Sequence, residues 1–187
     1  MNVYNNYMKG ALVIDVDETL LTIERISYLK IFHKNYYKQK GKHIDFFGKE
    51  HYIMPRPFVK KFLELLNKKF DLIAWSIIDS KITEEKLKIL DLNKYFKRIL
   101  GKDELIDNKK NLTWLSSGLK ISLNDIAAID DKPEFYDLPS SVIKISPWLP
   151  DGDIKDNELM KIINLIELKF SKVVSPELKK IENLIVA

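Results

Sequence analysis

Short apolar runs alternate with longer amphipathic stretches along this chain. The first run, Ala11 to Val16, is broken only by Asp15 and reads as a fully buried strand, not an alternating half-buried one. After Pro57, the residues Phe58, Val59, Phe62, Leu63, Leu65 and Leu66 recur at helical spacing, with Pro57 suited to the first helical turn. Leu72 to Trp75 reads as a second strand, and Ile82, Leu87 and Leu90 as a helix before a short strand near Arg98 to Leu100. Asn111 to Leu119 is expected to be helical, followed by strands at Ile126–Ile129 and Val142–Ile145. Asn157 to Leu168 reads as a helix with Leu159, Ile162, Ile163, Leu165 and Ile166 on one broad face. Such alternation predicts an α/β fold, a mostly parallel central sheet with helices on both faces. Ligands of such sheets bind beyond the carboxyl ends of the strands.

Composition narrows the chemistry. The 187 residues suit one ordinary domain, and 45% apolar with 31% charged residues argues against global disorder. No cysteine is present, which removes disulfides, thiolate metal sites and thiol nucleophiles. The net charge of +4 permits an anionic partner without requiring one. The apolar stretch Gly10 to Ile14 is too short for a signal-peptide core or a membrane span, so a soluble intracellular protein, cytoplasmic or nuclear, is expected. No repeat and no Gly/Ser-rich linker divides the chain.

The strand ends carry acids. The first strand runs into Asp15-Val16-Asp17-Glu18-Thr19, where two carboxylates two residues apart point the same way in extended chain. They suit a hard divalent cation, or an attacking group beside a proton carrier, while a plain acidic turn remains the ordinary alternative. The second strand ends at Trp75-Ser76-Ile77, where a hydroxyl and the following backbone N–H groups suit phosphate oxygens, or simply make a turn. The third ends at Asp130-Asp131, whose adjacent charges call for a cation or solvent. Lys110 stands at the start of a helix, where the dipole disfavours a cation unless its ammonium reaches an anion. A solvated surface lysine is the bland alternative.

The order of these groups resembles the haloacid dehalogenase (HAD) superfamily of phosphatases. Asp15-Val16-Asp17-Glu18-Thr19-Leu20 is similar to its first motif, and Ser76, Lys110 and Asp130-Asp131 fall where the second, third and fourth belong. The chain is most similar to the subfamily of RNA polymerase II C-terminal-domain phosphatases and their small, NLI-interacting-factor-like relatives. Arg56-Pro57 before a helix, Lys110-Asn111-Leu112-Thr113, and Trp148 followed by Asp156-Asn157-Glu158-Leu159 carry that likeness, with Ser76 in place of the usual Thr and Asn111 in place of Asp.

The resemblance implies a three-layer Rossmann-like fold over residues 1–170, a small or absent cap, and a helical tail at 171–187. It implies Asp15 as nucleophile forming an aspartyl-phosphate, Asp17 as general acid and base, and Lys110 neutralising charge. Thr19, Ser76 and Ile77 would hold phosphoryl oxygens. Mg²⁺ would lie among Asp15, Asp17 (through its carbonyl), Asp130 and Asp131, with Asp131 favoured as a direct ligand. Thr22 and Arg56 are substrate-side candidates. The expected substrate is phosphoserine or phosphothreonine in a protein; nucleic-acid ends, small phosphorylated metabolites and a non-catalytic scaffold are the alternatives.

Residues 22–54 form an insertion, either a small helical lid or a helix with a hairpin through Ile44–Phe47, Gly48 and His51–Met54. The lysines and aromatics between Lys30 and Lys42 suit an acidic phosphopeptide or unpaired bases, or else an amphipathic helix with Ile26, Leu29, His33 and Tyr36 on one face. His33, His43 and His51 match no metal-binding spacing and are expected on the surface or hairpin. Ser175-Pro176-Glu177 reads as the start of a final helix.

Overall fold

A computed structural model describes residues 10–28, 37–46, 48–149 and 155–174. Five parallel strands form the central sheet in the order β6-β5-β1-β7-β8. These are β1 (Ala11–Ile14), β5 (Asp71–Trp75), β6 (Arg98–Leu100), β7 (Ile126–Asp130) and β8 (Val142–Lys144). A separate three-stranded antiparallel sheet, β2-β4-β3, consists of β2 (Leu21–Arg25), β3 (Lys42–Phe46) and β4 (Lys49–Pro55). The helices are α1 (Val59–Asn67), α2 (Ser80–Ile89), α3 (Leu112–Leu119) and α4 (Glu158–Val174).

The continuous apolar runs follow from burial on both faces of the sheet. Leu12 and Ile14 of β1 pack with Phe62 and Leu66 of α1 and Leu159 and Ile162 of α4. Ala11 and Val13 point the other way, toward Leu112 and Leu115 of α3 and the ring of Tyr136. β1 pairs with β5 on one side and β7 on the other, so the acids following β1 and ending β7 emerge side by side.

Several local expectations shift. Helix α1 starts at Val59, so Pro57 lies before the helix and not in its first turn. Phe58 occupies the N-cap in the left-handed region (φ 64°), a conformation its apolar side chain gives no reason to expect. Leu165 is exposed while Leu159, Ile162 and Ile166 are buried, so the apolar stripe of α4 is narrower than the spacing implied. Ile26 sits in a turn, not a helix. Helix α4 is continuous across residue 170, to Val174. The proposed helical face at Leu29, His33 and Tyr36 and the final helix from Ser175 lie outside the described residues.

Over its described residues, the 22–54 insertion is the antiparallel sheet plus a helical turn at 37–40. His43 and His51 stand on β3 and β4. Among the described residues, no helix is long and apolar enough to cross a membrane.

Candidate active site

Four elements deliver their ends to one cavity of about 330 Å³. Its walls include Asp15 and Asp17 after β1, Ser76 after β5, Asp130 and Asp131 at the end of β7, and Lys110 before α3. The Asp15 amide donates to the Ile129 carbonyl at 3.0 Å, which extends the β1–β7 pairing into the site. Past Asp17, Glu18 adopts a left-handed conformation (φ 64°), and Leu20 and Leu21 both donate to the Val16 carbonyl. That tight turn leads the chain into β2 and holds Asp15 and Asp17 at the carboxyl end of the central strand.

Lys110 is the electrostatic hub. Its ammonium lies 2.6 Å from Asp15 Oδ1 and 2.7 Å from Asp130 Oδ2. The side chain is 1% exposed, and the charge lies 5.2 Å from the centre of the Tyr136 ring. The backbone sets this placement: the Lys110 amide donates to the Phe135 carbonyl, and Asp137 accepts from the amides of Leu112 and Thr113. Asn111, where the family pattern has Asp, is the N-cap of α3 and accepts from the Trp114 amide at 2.7 Å. A lysine beside a helix N-terminus is thus compensated by two carboxylates, as its disfavoured position required.

Burial pushes the Asp15 carboxyl up to about 7; Lys110 opposes that rise, and Asp130 reinforces it. Burial works against the Lys110 charge, yet Asp15 and Asp130 outweigh it and hold its ammonium above the usual range. Asp131 is also raised by burial, against the pull of Lys132. Oxygens of Asp15, Asp130 and Asp131 come within 4.8 Å of one another, all three residues buried. Hard carboxylate oxygens converging this closely fit a cation such as Mg²⁺. Both Asp130 oxygens already accept, from the Lys132 amide and from Lys110, which leaves Asp131 the less committed donor.

The expected residues divide by their place in the structure. Asp15, Asp17, Ser76, Ile77, Lys110, Asp130 and Asp131 all line the cavity. Ser76 Oγ donates to Asp17 Oδ2 at 3.2 Å. The carboxylate of Asp17 stands apart from the acidic cluster, so metal contact there would use its carbonyl. Thr19 is fully buried with no hydrogen bond to its hydroxyl, and it lies behind the residues that form the cavity wall.

Thr22 is buried in β2 and also absent from the wall. Arg56 is not a substrate-side group: its guanidinium is buried and engaged by Asp156, Glu158 and the carbonyls of Thr19 and Ser146. It clamps the turn after Asp17 to the start of α4. None of the described residues of the insertion lines the cavity.

Two further residues of the cavity lie outside the expected set. Lys86 on α2 reaches Asp17 Oδ1 at 2.7 Å, and Lys132 bridges Glu18 and Asp131 at 3.3 and 3.4 Å. The spacing of Thr83, Lys86 and Leu87 on one helix face is the feature that marks Lys86 as inward-facing.

Comparison with known proteins agrees with this geometry. The chain is 31% identical over 160 residues to Phosphatase PSR1 of Saccharomyces cerevisiae, covering 85% of this chain and 36% of that one. It is 24% identical over 165 residues to the human CTD small phosphatase-like protein, covering 87% and 56%. The chain therefore spans between about a third and just over half of these relatives' lengths. The fold matches the fission yeast RNA polymerase II CTD phosphatase Fcp1 with a TM-score of 0.60 at 19% identity, covering 95% of this chain and 55% of that one. The family model of NLI interacting factor-like phosphatases matches residues 11–176, a span holding every strand end that builds the cavity, and the chain belongs to that family.

Proposed function

We propose that this chain is a Mg²⁺-dependent phosphomonoesterase acting through a phosphoryl group carried on Asp15, with phosphoserine or phosphothreonine of an intracellular protein as substrate. The observation that carries this reading is the Lys110 ammonium held between Asp15 and Asp130 at the mouth of two parallel strands. Phosphoryl transfer needs positioning and charge neutralisation above all, and this arrangement supplies both.

A carboxylate oxygen of Asp15 attacks phosphorus as the ester P–O bond breaks. Asp17 gives its proton to the departing alkoxide. Asp17 then takes a proton from water as that water attacks the phosphorus, and the Asp15 carboxylate is released with inorganic phosphate. Lys110 fixes the orientation of Asp15 and offsets the charge that it shares with Asp130. The Ser76 hydroxyl, at the cavity wall beside Asp17, donates to a phosphoryl oxygen. Asp15, the Asp17 carbonyl and Asp131 would hold Mg²⁺, whose charge draws electron density from the phosphoryl oxygens.

A protein substrate accords with the names of the relatives and with a cavity that no described insertion residue covers. Phosphate release from phosphopeptides, measured with Mg²⁺ and with a chelator, tests this function. Metal-dependent release that Asp15→Asn reduces to background supports it. Release unaffected by chelation or by that substitution overturns it.

A further inference from the structure

Lys86 has no assigned task in the reaction above, yet it lines the cavity. Asp79 caps α2 through the amides of Lys81 and Ile82, and the helix turns Thr83, Lys86 and Leu87 inward. Leu87 enters the core, while the Lys86 side chain, 8% exposed, presents its ammonium to Asp17 at 2.7 Å. Among the described residues, Asp17 is its one anionic partner. The other cavity lysines are differently placed. Lys110 is held by two buried carboxylates, and Lys132 by Glu18 and Asp131. A buried ammonium that loses its counter-charge is costly, so its partner can leave only when another anion replaces it.

Asp17 is the more exposed member of the pair. Its carboxylate is 37% exposed, and in the proposed reaction it turns to the leaving oxygen of the substrate. A turn that carries Oδ1 to that oxygen carries it away from Lys86. The cavity residues between Ser76 and α2 are Ile77 and Ile78, aliphatic groups that suit a peptide side chain and offer no flat ring for a base to stack on. The aromatic ring of the wall, Phe135, belongs to the segment whose carbonyl accepts from Lys110.

We propose that Lys86 exchanges Asp17 for an acidic group on the substrate, and so selects phosphorylated sites of proteins that carry a carboxylate beside the phosphoresidue. This rests on the phosphatase reading and names the substrate class of that same site. Lys86 is then a substrate-binding residue, and the Asp17 pair is the form it adopts before substrate arrives.

The test uses matched phosphoserine peptides, one with Asp next to the phosphoserine and the other with Asn there. The kcat/KM ratio of acidic to neutral peptide is measured for wild type, Lys86→Arg and Lys86→Met; a ratio within one enzyme cancels any general loss of fold or turnover. Wild type and Lys86→Arg should favour the acidic peptide about tenfold, and Lys86→Met should bring the ratio to about one. Lys86→Gln repeats the comparison where the methionine protein does not fold. A wild-type ratio near one, or a preference that survives the loss of the charge, overturns the assignment.

The dissociation constants of the same peptides are measured in Asp15→Asn with and without Lys86→Met. Binding reads the Lys86 contact even if wild type hydrolyses no phosphomonoester, the outcome that would refute the phosphatase reading by itself. A 5′-phosphorylated oligonucleotide that binds with a larger Lys86-dependent gain than the acidic peptide would overturn the choice of a protein substrate.

Discussion

Replacing Lys110 with methionine is the most informative single perturbation of the site. The side chains are similar in length, so repacking costs about 1 kcal/mol at most, and the effect isolates the charge. The substitution removes contacts of 2.6 Å to Asp15 and 2.7 Å to Asp130, leaving two buried carboxylates without their cation. Removing one partner from a buried pair costs about 3–5 kcal/mol, so Lys110→Met should lose about 3 kcal/mol in metal-free protein near pH 8.

The loss depends on pH with a definite sign. With the ammonium gone, burial and Asp130 act unopposed, and Asp15 rises beyond its value of about 7. A carboxyl raised on folding leaves stability intact below its unfolded value of 3.8 and erodes it as pH climbs toward the folded one. The penalty in Lys110→Met should therefore shrink by more than half near pH 5, where Asp15 is protonated. Urea unfolding in chelator, followed by fluorescence of the buried Trp75 and Trp148, measures it at both pH values. A penalty below about 1 kcal/mol at both, or one that grows on acidification, would refute the electrostatic account of this hub.

Other expectations follow from the same geometry. Arg56→Ala should cost about 3–5 kcal/mol in thermal or urea unfolding, because Asp156 and Glu158 lose a buried guanidinium, and Arg56→Lys should restore little of it. Asp137→Ala removes the acceptor for the Leu112 and Thr113 amides; it should cost about 1–2 kcal/mol of stability and lower kcat severalfold by loosening the segment that places Lys110. Mg²⁺ should raise the unfolding midpoint more near pH 8 than near pH 5.5, since below about 7 a proton on Asp15 competes with the metal. An equal shift at both pH values would place the ion away from Asp15.

The strand ends were readable because strands buried on both faces are uninterrupted apolar runs, so an acid abutting such a run marks its carboxyl end. Asp15 and Asp130 were found that way, and the structure sets them beside each other through β1–β7 pairing. What the sequence hid were pairings between distant positions. Arg56 meets Asp156 and Glu158 across 100 and 102 residues, so an arginine beside a turn looked available for substrate when it is a clamp.

Lys86 meets Asp17 across 69 residues and was one basic residue among 31. Thr19 belongs to the same motif as Asp15 and Asp17, yet the tight turn after Asp17 carries it into the interior. Leu165 fitted the apolar stripe of α4 by spacing alone, but it is exposed, while Leu159, Ile162 and Ile166 are buried in the sheet-side core and Ile163 and Phe170 pack against it.

The most direct test of the account is to look for the phosphoryl group on Asp15. Asp17→Asn should slow hydrolysis of the intermediate, and an aryl phosphate such as p-nitrophenyl phosphate leaves without needing the Asp17 proton, so rapid quenching after mixing with that ester and Mg²⁺ should trap it for peptide mass spectrometry. The account predicts one hydroxylamine-labile phosphoryl group on the peptide containing Asp15, absent in chelator and absent when Asp15→Asn is added to the variant. Phosphate release with no acyl phosphate on the chain, or a label on any other residue, would contradict it.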